Sequence, residues 1–386
     1  MTVAVYVPFI PHGGSLKNLQ QLLAVWKTKT NNRIVVVAPQ KALAVIGAVI
    51  GQGAVEALAI PPNRSFGLKR LAFERWGAAQ LLKTVAPDVI FAPGGTLPDG
   101  LDVPAVANFQ NVLPIQPDLW RLTRDPRIYL RQMVLRQNLR HAMRKTDIAI
   151  FNSESARLQF EEFYRDALPH NVVIPRAVAT TSFDEREKAD FGHLGVEHDY
   201  FITVGQIYAY RNLASLIRGY HAYARSCASP VQLVIIGRFG SPSEMRRVKA
   251  AIVEQPEGKH ILLLGNQPQE TTLSLLRRAR IHLFSSSIEN CPNVLLEAMA
   301  LGTPTICARA SANPEFGQDA VVYVNPRIAQ EWTDALRALA DDAPERNRLS
   351  ERGKAVTAGM AGVDELAHQT WSVLQSAAGQ AVGALT

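Results

Sequence analysis

Short runs rich in Val and Ile alternate along the chain with segments whose apolar residues recur at helical spacing. In the first half these runs are residues 3–9, 33–38, 54–60, 88–92, 103–108, 148–152 and 171–175. Such alternation predicts β-α-β units on a parallel sheet. The pattern breaks over residues 180–199, where Asp184, Glu185, Arg186, Glu187 and Lys188 form a charged centre that reads as an interdomain linker. It resumes at residues 200–204, 231–236, 260–264, 281–285, 304–308 and 320–324, predicting a second doubly wound sheet. Three helical segments without strands follow, at 328–342, 346–357 and 365–377. The expected fold class is α/β, with two Rossmann-like doubly wound domains facing a central cleft. The expected division is residues 1–180, a linker over 181–199, residues 200–360, and a terminal helix within 361–386 that packs back toward the first domain.

A chain of 386 residues, 47% of them hydrophobic, has enough apolar material for two such cores. No run approaches the roughly eighteen apolar residues of a membrane span, and Met1 and Thr2 lead directly into a strand-like run. A cytoplasmic protein is therefore expected. Cys227, Cys291 and Cys307 are widely spaced, which suggests neither a disulfide framework nor a zinc site. The net charge of +7 is concentrated: residues 121–145 hold eight basic side chains and one acid, Asp125. A helix is expected from Pro126 to Lys145, with Ile128, Leu135, Leu139, Ala142 and Met143 on one stripe. Arg127, Arg131 and Lys145 flank one side of it, and Arg136, Arg140 and Arg144 the other. Two readings stay open: residues 127–145 lie on an anionic membrane surface, or the stripe packs on the sheet beneath a solvated basic rim. The first would place the protein peripherally on the inner face of the cytoplasmic membrane. Sparse aromatic residues here argue against nucleic acid.

Ligands of doubly wound sheets bind outside the carboxyl ends of the strands, so chemistry is sought in the loops starting at Pro8, Gly205, Gly237, Gly265 and Ser285. The densest signal runs from Ser285 through Glu289-Asn290-Cys291-Pro292-Asn293-Val294 to Glu297 and then Gly302-Thr303-Pro304. It reads as strand, loop and helix, with Pro292 in the first helical turn and Gly302 and Pro304 at the stop. Free N–H groups near Asn293 and Val294 would make an anion site. Glu289 precedes the helix and Glu297 lies on it, so the two carboxylates can meet separate points of an extended ligand. As acceptors, carboxylates suit paired hydroxyls. The plainer reading is one capping acid and one surface acid. His193 and His198 lack partners at ligand spacing and no Asp-x-Asp element is evident, so no metal is expected. Ser285, Ser286 and Ser287 lack the frame of a hydrolase nucleophile and are expected to satisfy backbone groups. In the first half, Pro11-His12-Gly13-Gly14-Ser15 opens a helix and lets backbone approach a ligand.

The stretch from Ser285 to Pro304 resembles the Glu-x7-Glu region of the retaining GT-B glycosyltransferases, the group 1 family also called glycosyltransferase family 4. Val204-Gly205-Gln206 and Arg211-Asn212 look like that family's Gly-Arg and Lys-Asn element, and Pro314-Glu315 continues the likeness. The resemblance implies a nucleoside diphosphate sugar donor, with uridine and guanosine both open, and a glycan or lipid-linked acceptor, as in bacterial-type surface polysaccharide assembly. It implies that Glu297 binds the donor ribose and Glu289 lies by the sugar. Asn290, Cys291, Asn293 and Val294 would line sugar and diphosphate, and Arg211 would neutralise the leaving diphosphate. Glu289 and Arg211 are thus the expected catalytic pair. Gly205, Gln206, Arg238 and Asn266 complete the expected donor side; Gly13, Gly14, Gln110 and Asn111 form the acceptor side.

Several positions depart from the family's pattern. Gln206 stands where a second diphosphate-binding Arg is common, Gln110 and its neighbours replace a His-containing element, and Arg176 and Ala177 replace part of a Pro-Asn-Gly-Val exit. Two other functions are therefore weighed: a sugar-nucleotide 2-epimerase of the same architecture, and a donor-binding subunit without activity.

Overall fold

A computed structural model describes residues 1–11, 13–29, 32–47, 55–61, 73, 77–165, 168–178 and 191–379. His12 and the charged centre from Asp184 to Lys188 lie outside these residues. The chain forms two compact units: Met1–Ile115, Met133–Ala177 and Ala361–Thr386 make the first, and Gln116–Gln132 with Val178–Met360 the second.

The first unit holds seven strands: β1 (Thr2–Tyr6), β2 (Arg33–Pro39), β3 (Val55–Ile60), β4 (Val89–Ala92), β5 (Ala105–Asn108), β6 (Ile148–Phe151) and β7 (His170–Val173). They are parallel, in the order β3-β2-β1-β4-β5-β6-β7. Strands covered on both faces need apolar residues at successive positions, and β4 and β5 are buried throughout. Helices α1 (Gly13–Lys29), α2 (Gln40–Ile46) and α3 (Ala78–Lys83) precede α4 (Leu119–Thr123) and α5 (Pro126–Met143), and α6 (Glu154–Tyr164) follows. Ser153 caps α6 by accepting from the Ala156 N–H at 3.0 Å.

The second unit holds β8 (Tyr200–Val204), β9 (Gln232–Ile236), β10 (Ile261–Gly265), β11 (Ile281–Phe284), β12 (Thr305–Ala308) and β13 (Val322–Val324). Their order is β10-β9-β8-β11-β12-β13, again parallel. Its helices are α7 (Leu213–Arg225), α8 (Pro242–Val253), α9 (Gln269–Arg278), α10 (Asn293–Ala300), α11 (Asn313–Gly317), α12 (Ala329–Ala340) and α13 (Ala343–Ala358). Two of them start on side-chain caps, Ser241 and Asp342, whose oxygens accept from the N–H groups of Glu244 at 3.2 Å and Glu345 at 2.9 Å.

The last helix, α14 (Val363–Ala377), packs on the first unit. Leu366, Ala367, Thr370, Trp371 and Leu374 form its buried stripe. Trp26 of α1 lies 5.3 Å from Trp371 between ring centroids and donates its indole N–H to the Ala367 carbonyl at 2.9 Å.

These boundaries differ from the division expected at 180 and 200. Residues 116–132 leave the first unit: Leu119 and Leu122 are buried, and α4 contacts the turn Ala209–Arg211 of the second. Described residues of the expected linker are packed, since Phe191 and Val196 join the core around Tyr200 and Ile202. The Glu197 N–H also donates to Gln232 at 3.0 Å. Apolar residues within a polar stretch were the available sign.

The basic segment is divided by the same boundary, which falls within α5. Leu139, Ala142 and Met143 are buried, whereas Leu130 and Val134 are exposed. Arg136 donates to the Pro114 carbonyl at 2.6 Å, Arg140 lies 4.7 Å from the Phe163 ring centroid, and Lys145 ion-pairs with Asp99. These three cations are engaged by the first unit's own surface.

Candidate functional site

In the second unit, strand order reverses between β8 and β11, so the loops leaving these neighbours diverge and leave a crevice at their carboxyl ends. The loop after β8 begins at Gly205, with φ +136°, and the loop after β9 at Gly237, with φ +147°. A Cβ on Gly237 would sit 1.9 Å from the Gly205 carbonyl oxygen, and one on Gly205 would meet the Arg211 guanidinium at 3.0 Å. Both glycines are required by close approach as well as by backbone conformation.

The chain then makes a 3-10 turn, Ala209–Arg211, and Asn212 takes a left-handed conformation, with φ +50°. The Asn212 amide donates to the carbonyls of Tyr210 at 2.8 Å and Ser285 at 3.2 Å, and to the Ser287 hydroxyl. Ser285 donates in turn to the Arg211 carbonyl, and the Ser287 N–H to that of Tyr210 at 2.9 Å. The two loops are thereby tied together, which explains why hydroxyl residues end β11.

That tie sets the Arg211 guanidinium 3.3 Å from the Glu289 carboxylate, with side-chain exposures of 18% and 16%. Arg211 also lies 5.5 Å from the Phe284 ring centroid. Glu289 is fixed by its backbone: its N–H donates to the Ser311 hydroxyl at 3.2 Å, and that hydroxyl donates back to its carbonyl at 2.6 Å. Asn313 supports the same region by donating to the carbonyls of Ser286 and Ala308, both at 2.9 Å. Ser311 and Asn313 carry no local sequence signal and were not anticipated.

Arg211 Nε and Glu289 Oε1 are buried without hydrogen-bond partners. Buried charges with unfilled bonding capacity suit a polar ligand. Nearby titratable groups are held neutral. Burial drives the Cys307 thiol well up, with the Glu289 charge adding, and lowers His282 to about 3, with Arg211 contributing.

Helix α10 carries Asn293, Val294 and Glu297 beyond this pair. Pro292 is its N-cap rather than a first-turn residue, and the Asn293 N–H is bonded to the Cys291 carbonyl at 2.9 Å. Asn293 is therefore not among the free donors expected there. Asn290 is buried, and Cys291 joins an apolar cluster with Leu296 and Phe316. Gln206 is half-buried, while Arg238 and Asn266 are exposed. Among the described residues, no group of three or more His, Cys, Asp or Glu is placed to hold a metal.

In the first unit, Gly13 (φ +52°) and Gly14 open α1. Gln110 accepts from the Ser15 hydroxyl at 2.8 Å and from Arg176, so three separate segments meet at one amide. Arg176 is thus occupied within its own unit. Asn111 is exposed and accepts from the Leu113 N–H at 3.2 Å.

Two doubly wound parallel sheets, the second with charged loops at its switch point, define a GT-B architecture. Solved structures share it. HepE of Anabaena in complex with UDP and glucose superposes with a TM-score of 0.72 at 17% identity, covering 97% of this chain and 100% of its own. WaaG, a glycosyltransferase involved in lipopolysaccharide biosynthesis, does so with 0.70 at 15%, covering 96% and 99%. Residues 185–356 match the family described as glycosyl transferases group 1. The matched stretch lies within the second unit and covers less than half of the chain.

A curated relative, the D-inositol 3-phosphate glycosyltransferase of Corynebacterium aurimucosum, is 25% identical over 270 residues, which cover 67% of this chain and 63% of the relative. The match thus spans under two thirds of that relative's length. The corresponding enzyme of Corynebacterium diphtheriae is 31% identical over 114 residues, covering 29% of this chain and 25% of its own.

Proposed function

We propose that the protein transfers a sugar from a nucleoside diphosphate sugar to a hydroxyl of a glycan or lipid-linked acceptor, with retention at the anomeric carbon. The observation that carries this reading is the largely buried Arg211 and Glu289 pair beside glycine turns at the switch point of the second sheet. A diphosphate leaving group gains charge as the glycosidic bond breaks, and a fixed guanidinium stabilises that charge without reorganising. Glu289 lies by the sugar, Glu297 accepts from the ribose hydroxyls, and backbone around Asn290 and Val294 lines the diphosphate. The match of residues 185–356 to the group 1 family supports the reaction type, and the UDP and glucose held by HepE support uridine as the base. Bacterial surface polysaccharide assembly is the setting we infer, in keeping with WaaG. Gln110 and Asn111, with Gly13 and Gly14, are assigned to the acceptor side.

The test is a panel of nucleotide sugars assayed for release of nucleoside diphosphate, with and without glycan acceptors. Glu297→Ala should weaken nucleotide binding, whereas Arg211→Ala should lower turnover more than affinity. Interconversion of the donor sugar would establish an epimerase instead, and binding without turnover would establish a donor-binding subunit.

A further inference from the structure

A second concentration of positive charge lies in the second unit, away from the pair just described. Arg121 and Arg124 at the end of α4, Arg218 on α7, Arg247 on α8 and Arg327 before α12 line one cavity of about 600 Å³. Among the described residues that line it none is acidic, and none is a donor-side residue assigned above. The turn Ala209–Arg211 separates the two places: Ala209 and Tyr210 line the cavity, while the Arg211 guanidinium is turned toward Gly205 and Glu289.

The arginines are incompletely neutralised. Arg218 pairs with Glu254 at 2.9 Å, Arg247 with Glu244 at 3.7 Å and Arg121 with Asp118 at 3.7 Å. Arg124 and Arg327 make no ion pair among the described residues. Arg247 Nε and the Ser215 hydroxyl are buried with no hydrogen-bond partner, and Ser215 also lines the cavity. Burial holds the Arg247 guanidinium below its ordinary range, and the charges of Arg124 and Arg218 push in the same direction, against the pull of Glu244. The first turn of α7, with Ala214 and Ser215, forms part of the wall, and a helix N-terminus favours negative charge.

Like charges gathered from four separate elements repel one another, and the cavity they line is relieved by an anion. Planar guanidinium forks match the paired oxygens of phosphate. We propose that this cavity is a binding site for a phosphate-bearing ligand of at least two negative charges, a diphosphate or phosphomonoester, separate from the donor site. The phosphate is carried by a soluble molecule or by a lipid headgroup.

The test is calorimetric titration of the full chain with inorganic pyrophosphate in the presence of one equivalent of UDP, beside flotation with phosphatidylcholine vesicles containing phosphatidic acid. The comparison variant is Arg124→Gln with Arg327→Gln, neither of which has an ion pair to lose. Pyrophosphate binding should weaken at least tenfold in the variant while the first equivalent of UDP binds as before. A second UDP equivalent lost in the variant supports the site equally. Loss of flotation alone assigns the phosphate to a lipid, and loss of pyrophosphate binding to a soluble ligand. If pyrophosphate and vesicles bind the variant as they bind the parent, or bind neither, the proposal is overturned. Failure of the Glu297→Ala and Arg211→Ala predictions would leave this outcome untouched, because those residues do not line the cavity.

Discussion

Replacing Arg211 by Gln separates what the guanidinium does for folding from what it does for turnover. In the folded chain Arg211 faces Glu289 at 3.3 Å, with each side chain about one-sixth exposed at 18% and 16%. Removing one partner of a fully buried pair costs about 3–5 kcal/mol because the other charge is left uncompensated; the residual exposure here lowers that to about 2 kcal/mol. For a unit of this size such a loss lowers Tm by about 4–8 °C. Changing Glu289 to Gln as well removes the orphaned charge and should restore most of that shift. Turnover should not follow. A preorganised donor to the leaving diphosphate contributes about 3 kcal/mol, so kcat should fall about 100- to 1,000-fold in the single and double variants alike. Differential scanning fluorimetry and nucleoside diphosphate release measure the two quantities on the same samples. If stability and turnover recover together in the double variant, the assignment of Arg211 to the leaving group is wrong.

Two further outcomes follow from the same unit. Gly237→Ala should destabilise by more than about 3 kcal/mol, since its methyl would lie 1.9 Å from the Gly205 carbonyl oxygen. Gly265→Ala, at φ +67° with open space around it, should cost only about 1 kcal/mol; urea melts giving the reverse order would refute the packing argument. His282 is held at about 3 against an ordinary 6.5, mainly by burial. Its unfolded form therefore takes up a proton below about pH 6.5 while the folded form does not, so stability should fall by about 1.4 kcal/mol per pH unit from there toward pH 3. Above pH 6.5 the residue contributes no slope. His282→Phe should flatten that acid limb, and melts with identical pH profiles would rule the effect out.

The strands were legible because buried parallel strands need consecutive apolar residues, a local requirement visible in residues 33–38 or 200–204. Their ends were less so: β1 stops at Tyr6, two residues ahead of Pro8, although the apolar run continues to Phe9. Glu289 and Arg211 stood out because a loop and helix of defined composition surround one and a glycine turn precedes the other. Their mutual contact depends on strand order, which brings β8 beside β11 across a separation of some eighty residues and has no local signature. The same holds for Ser311 beneath Glu289 and for Gln110 between Ser15 and Arg176. The arginine cavity is the extreme case, since its five cations come from distant segments and form no motif. Residues 116–132 were assigned to the wrong unit because composition records how basic a segment is and not which surface it covers.

Trp26 rests between Phe91 and Trp371, the last of which belongs to α14. Neither unit is a continuous length of chain, so the earlier unit is the one finished last. At about 5–20 residues per second, a ribosome needs about 10–40 s to pass from residue 177 to residue 377. Throughout that interval the seven-stranded sheet exists without the helix that seals α1, and the indole of Trp26 has no carbonyl to bond. The nascent chain is obliged to display an aromatic surface while the second unit is being made, and synthesis of α14, rather than completion of either sheet, covers Trp26.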